Sequence, residues 1–103
     1  MNESDFLELA DAMFERIESA LDAQSIDCDI NVTGGVMELS FDDGAKVIIN
    51  RHTPNREIWV AARSGGFHYK YADHVWRNTR DDGLLTAQLS ALVSAHADTA
   101  FSL

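Results

Sequence analysis

The stretch VMELSFDDGAKVIIN, Val36 to Asn50, decides the fold. Met37, Leu39 and Phe41 alternate with Glu38 and Ser40, the period-two pattern of a strand that buries one face. After Asp42–Gly44 the alternation resumes, with Ala45, Val47 and Ile49 on one face and Lys46, Ile48 and Asn50 on the other. Asp and Gly tolerate positive φ, so DDG predicts a tight hairpin between the two runs. A hairpin of this kind makes its strands antiparallel neighbours, and their shared apolar face needs a cover.

Working outward, the same period continues on both sides. Upstream, Ile26, Cys28, Ile30 and Val32 alternate with Asp27, Asp29 and Asn31 as a first strand, and TGG at Thr33–Gly35 turns it into the second. Downstream, RHTPNR reads as a loop around Pro54, EIWVAA as a fourth strand, SGG as another turn and FHYKY as a fifth strand, with HVWRN as a short sixth. Helical spacing brackets the strands. Phe6, Leu9, Ala10, Met13, Phe14, Ile17, Ala20 and Leu21 share one face of a first helix with Ser4 as its expected N-cap. A second helix is predicted from about Leu84 to Ala97, with Leu85, Leu89, Leu92, Val93 and His96 along its stripe and Asp81 or Asp82 as its cap. The tail is expected to pack through Phe101. The fold class is α+β: a two-layer sandwich in which two helices pack on one face of an antiparallel meander sheet of five to six strands, as one domain over residues 1–103.

Charge narrows the function. Residues 1–43 hold 12 acids and one base, Arg16, whereas residues 44–103 hold 5 acids and 7 bases. A surface so negative repels a phosphate backbone and an anionic membrane, which excludes nucleic acid and membrane as partners and favours a metal ion or a basic protein surface. A single cysteine excludes a disulfide framework and a thiolate metal cluster, and points to a reducing compartment. Cys28 shares the phase of Ile26 and Ile30 and reads as a small buried hydrophobe. The four histidines stand in separate elements without chelate spacing, and neither a nucleophile elbow nor a phosphate-cradling glycine loop is present. The chain is not expected to be an enzyme.

Two features stand out. Glu8, Asp11, Glu15, Glu18 and Asp22 fall on one stripe of the first helix, opposite its apolar face. Like charges three or four apart cost about 0.2–0.5 kcal/mol per pair, so packing must hold this helix. Asp27 and Asp29 extend the pattern into the first strand, beside the negative end of the helix dipole. Carboxylates are hard ligands suited to iron, manganese, magnesium or calcium, and their spacing points to a weak, exposed cation surface. The second feature is Trp59. It shares its phase with Glu57, which places it on the sheet face away from the helices, either as an exposed contact residue or packed over outward neighbours such as Ile48.

The acidic first helix, IDCDI at Ile26–Ile30, and GGVMELSFDDGAKVIINRHTPNREIWVAARSGGFHY at Gly34–Tyr69 together resemble the frataxin family, in particular its bacterial branch. The resemblance covers nearly the whole chain and is most specific through Ile26–Tyr69. It implies the two-layer sandwich just described, weak surface binding of iron (Fe2+ or Fe3+) and a part in iron–sulfur cluster assembly. By similarity, the metal ridge is Asp11, Glu15, Glu18, Asp22, Asp27 and Asp29. The stretch NRHTPNREIW corresponds to the family's N-(K/R)-Q-x-P-x-x-x-(I/V)-W region. Glu18, Asp22, Asn50 and Trp59 are then the partner-binding residues, facing a cysteine desulfurase and an iron–sulfur scaffold protein. The implied role is a regulator of the desulfurase, cytoplasmic and monomeric, with metal-dependent oligomers. Alternatives are an iron store or ferroxidase-like protein, and an acidic interaction module with incidental metal binding. The sequence departs from many bacterial members in its short, uncharged AQS connection, and it begins at the first helix without the eukaryotic targeting leader, which fits a cytoplasmic protein.

Overall fold

The hairpin predicted from Val36–Asn50 forms the second and third strands of one six-stranded sheet. The computed structural model describes Met1–Leu103. In chain order it contains α1 (Glu3–Ala23), β1 (Asp29–Thr33), β2 (Val36–Ser40), β3 (Lys46–His52), a single 3-10 turn at Thr53–Asn55, β4 (Glu57–Ala62), β5 (Gly65–Ala72), β6 (Val75–Asn78) and α2 (Leu85–Ala97). The strands lie side by side in sequence order, each antiparallel to the next. At the β2–β3 hairpin, Phe41 N–H donates to the Ala45 carbonyl at 2.9 Å, and Gly44 takes φ 84°. Asp43 accepts from Ala45 N–H at 2.8 Å and fixes the turn.

Both helices cover the same face. Met37, Leu39, Val47, Ile49, Ile58, Val60 and Tyr69 project from the sheet into a core shared with Phe6, Ile17, Leu21, Leu85, Leu89 and Val93. Burial of each such Leu or Ile contributes about 1.5–3 kcal/mol, enough to offset the like-charge cost along α1. Phe101 is buried, and the tail is tied to the end of α1 by Gln24, whose side chain donates to the Ser102 carbonyl at 2.7 Å and accepts from Ser102 N–H at 3.0 Å. No helix is long and apolar enough to cross a membrane.

Several boundaries differ from the sequence reading. Asn2, rather than Ser4, caps α1, accepting from Asp5 N–H at 2.7 Å. Neither Asp81 nor Asp82 caps α2. Asp81 instead accepts from Gly83 N–H within the preceding turn, and Leu84 is held in a bridge to Arg77, so the helix starts one residue beyond with no side-chain cap. The SGG turn is shifted: Arg63 and Ser64 form it, while Gly65 and Gly66 already pair with β4 as the start of β5. His52 and Arg51 extend β3 rather than the loop. The first strand starts at Asp29 and is exposed along its whole length, with Ile30 and Val32 left 39% and 44% exposed. Six strands about 4.8 Å apart span roughly 24 Å between the outermost axes. Two helices packed about 10 Å apart cover less than that, so one edge strand stays uncovered.

Candidate functional site

The acidic edge begins where α1 stops. Ser25 takes φ 54°, its N–H donates to the Asp22 carbonyl at 3.1 Å, and Ile26 N–H donates to the Leu21 carbonyl at 3.0 Å. This Schellman closure satisfies the last carbonyls and folds the chain back sharply. It therefore delivers Asp27 and Asp29 just after the C-terminal end of α1, where no basic residue occupies the last turn. Glu15, Glu18, Asp22, Asp27 and Asp29 are all exposed, and none has an ion-pair partner.

The ridge is not uniform. At its upper end Asp11 is paired with Arg51, which reaches across from β3. The Arg51 side chain passes over Gly35, where an added Cβ would lie 3.1 Å from its Nε. Gly35 also takes φ 81°, so both the turn and the arginine's path require glycine there. At the lower end the hairpin contributes a residue the sequence reading overlooked. Asp42 neighbours Asp27, and a side-chain hydrogen bond to Asp27, then its negative charge, raise the Asp42 carboxyl from its ordinary value. Its neighbour Asp43 goes the other way. Its Oδ2 meets His96 Nδ1 at 2.8 Å, and this bond, with that from Ala45 N–H, lowers its pKa. Cys28, between Asp27 and Asp29, is half-buried; burial, then those two charges, push its thiol up and away from thiolate chemistry. Nowhere do three or more His, Cys, Asp or Glu side chains converge closely enough to enclose an ion. The lower ridge offers a spread of carboxylates, with Asp27 and Asp42 near enough to affect each other's charge.

The outer sheet face is constructed differently. Trp59 and Asn50 are direct cross-strand partners, as are Trp59 and His68. Trp59 is half-buried, packed over outward neighbours rather than standing exposed: it stacks between two histidines. The His52 ring lies 3.7 Å from it on one neighbouring strand and the His68 ring 4.2 Å on the other, each tilted only 8°. The indole N–H donates to Glu57 Oε1 at 2.7 Å. Glu57 has the outward phase expected of it, yet it is 6% exposed, with His68 and Lys70 approaching the same carboxylate at 3.8 and 3.9 Å. Beside the stack is a recess of about 300 Å3, opened by the small side chain of Ala61 and the absence of one at Gly66, and bordered by Ile48 and Asn50. Two histidines placed in separate elements by the sequence are thus brought to one site. The signal for it was strand register, which pairs Trp59 with His68 once the β4–β5 turn is fixed correctly.

An open meander sheet backed by two helices, with an acidic first helix and a tryptophan on the outer face, defines the frataxin class, and a family model for the frataxin-like domain matches residues 1–99. The chain belongs to the frataxin family. Its sequence relatives place it in the bacterial CyaY branch. The iron–sulfur cluster assembly protein CyaY of Cupriavidus pinatubonensis is 48% identical over all of this chain and 96% of the relative, and that of Dechloromonas aromatica is 45% identical over 100% and 99%. Among solved structures, a frataxin from Psychromonas ingrahamii superposes with a TM-score of 0.94 at 30% identity, covering 99% of this chain and 97% of that one. A trimeric frataxin from the yeast Saccharomyces cerevisiae, complexed with ferrous iron, gives a TM-score of 0.70 at 26% identity over 96% and 88% of the two chains.

Proposed function

We propose that this protein takes part in iron–sulfur cluster assembly as an iron-binding adaptor that docks on a cysteine desulfurase and regulates cluster synthesis. The names of its CyaY relatives support the pathway, and the ferrous complex of the yeast frataxin supports iron as the cargo. The observation that carries the reading is the set of exposed, unpartnered carboxylates at the end of α1: Glu15, Glu18, Asp22, Asp27 and Asp29. Exposed oxygen donors suit a hydrated Fe2+ that is bound weakly and released readily. Asp42 joins them at the lower end, whereas Asp11 is engaged by Arg51 and contributes less. The same charges steer the ridge to a basic surface on the desulfurase, with Glu18 and Asp22 at the contact. Asn50, Trp59 and the adjoining recess are the contact for the scaffold protein, because a flat, held aromatic beside a small depression is what a partner's side chain can fill.

The test combines two measurements. Anaerobic Fe2+ titration of the 15N-labelled protein should perturb Glu15, Glu18, Asp22, Asp27, Asp29 and Asp42 first, and salt should weaken the effect because exposed charges are screened over about 8 Å at physiological ionic strength. Desulfurase-driven cluster formation, followed with and without this protein at fixed iron, should change in rate, and Glu18→Lys with Asp22→Lys should abolish that change. Broadening spread evenly over the protein would remove the iron site; an unchanged assembly rate would remove the regulatory role.

A further inference from the structure

Between α1, the β5–β6 hairpin and the start of α2 lies a cleft of about 340 Å3 that the reading above does not use. Small-molecule sites commonly measure ~300–1,000 Å3. The wall is mainly apolar, with Leu9 and Met13 from α1 and Val75 and Trp76 from β6, and since Met13 and Trp76 are core residues, its floor is the core itself. Two exposed basic residues, Arg16 and His74, complete it. No Asp or Glu lines the cleft in a chain that carries 17 of them. Arg16 is the one base of the first 43 residues, and it stands on the flank of α1 turned away from the acidic stripe. Neither Arg16 nor His74 has an ion-pair partner.

The turn that carries His74 adds an independent observation. Asp73 and His74 take φ 52° and 67°, a two-residue hairpin turn with both residues left-handed. The β1–β2 turn has the same form and is made by Gly34 and Gly35, with φ 58° and 81°. Glycine reaches this region without penalty and aspartate tolerates it, whereas at His74 it carries a cost. The β5–β6 turn thus accepts strain and sets an imidazole at the cleft, and strain of this sort gathers at ligand sites.

We propose that the cleft binds a small monocarboxylic acid with an apolar body, its carboxylate held by Arg16 and the His74 ring N–H and its chain lying on Met13, Val75 and Trp76. The observations pair an uncharged, greasy floor with an unneutralised cationic mouth, which complements an anion attached to hydrocarbon. Hexanoate is the probe, with hexanamide as its uncharged counterpart, both titrated into the full-length 15N-labelled protein without metal. Hexanoate should give saturable shifts confined to Leu9, Met13, Val75 and Trp76, including the Trp76 indole N–H. Arg16→Gln should lower its affinity about tenfold, the loss of one charge-assisted bond, and leave that of hexanamide unchanged. His74→Gly should weaken hexanoate binding while the thermal midpoint holds or rises, because the turn strain is relieved. Equal affinity for hexanoate and hexanamide, shifts outside the cleft, or wild-type hexanoate affinity in both variants would overturn the proposal.

Discussion

The acidic ridge and the outer-face tryptophan occupy the same sandwich and follow opposite rules. Along the lower ridge, carboxylates stand exposed with no cationic partner, and Asp42 neighbours Asp27 so that its ionised form is disfavoured. On the outer face the groups around Trp59 are largely engaged: the indole N–H by Glu57, that carboxylate by His68 and Lys70, and the ring by two imidazoles, with His52 Nδ1 buried and left without a partner. One surface leaves its charges without partners. The other has already made its contacts, and so presents a rigid shape. A charge surface tolerates substitution because nothing in the fold depends on it, whereas an interlocked one carries stability as well as contact.

The largest effect that would sharpen this contrast is at Trp59. Trp59→Ala removes two stacked contacts and the hydrogen bond to a buried carboxylate. Stacked pairs are worth ~0.5–1.5 kcal/mol each, and an orphaned buried acceptor costs ~1–3 kcal/mol. A destabilisation of about 2–3 kcal/mol is expected in urea denaturation. Trp59→Phe, which keeps a ring but loses the N–H, should fall between. A wild-type midpoint for Trp59→Ala would break the contrast by showing that the stack contributes nothing.

Next comes the ridge itself, where the sign reverses. Glu18→Lys with Asp22→Lys replaces like-charge pairs by opposite ones and sets a cation at the C-terminal end of α1, so the metal-free fold should gain about 0.5–1 kcal/mol. The same protein should lose its Fe2+ response. A lower denaturation midpoint would mean that these acids hold structural partners, and the ridge would then resemble the outer face.

Arg51→Gln tests the boundary between used and unused charge. The Arg51–Asp11 pair is largely exposed on the aspartate side, 56%, and 25% on the arginine side. A pair of this kind contributes ~0–1 kcal/mol, so the stability change should be small. The informative readout is iron: the Fe2+-induced shifts should extend upward to Asp11, which an engaged carboxylate would not show in the parent protein. Unaltered shifts would place Asp11 outside the ridge altogether.

The smallest expected effects separate two adjacent residues. The Asp42 carboxyl is raised above its unfolded value, so the fold carries a penalty that grows as pH rises through the ordinary carboxylate range and is absent below it. Asp42→Asn should therefore stabilise at neutral pH and match the parent in acid. Asp43 is lowered, so its stabilisation is fully present above its unfolded value and disappears as pH falls through the folded one. Asp43→Asn should destabilise at neutral pH, and the difference should vanish in acid. Denaturation midpoints measured from about pH 2 to pH 7 would show both slopes, and parallel slopes would refute the opposed environments.

What the sequence determined by itself was the layer architecture. Period-two alternation through Met37, Leu39, Val47 and Ile49, and helical spacing through Phe6, Met13, Ile17 and Leu21, name the buried faces directly, because burial of apolar area is read residue by residue. The acidic stripe of α1 was legible for the same reason: residues three and four apart share a helix face whatever packs behind it. Tertiary structure alone decided what each polar side chain touches. Arg51 meets Asp11 across 40 positions of sequence and His96 meets Asp43 across 53. Asp42 reaches Asp27 only because the β2–β3 hairpin ends beside the start of β1. The Trp59 stack depends on register over three strands, where a slip of one residue would send His68 to the opposite face. Spacing along the chain fixes which face a residue occupies, but a partner is fixed by distance in space, and that is set only when the sheet has closed its register and the helices have packed upon it.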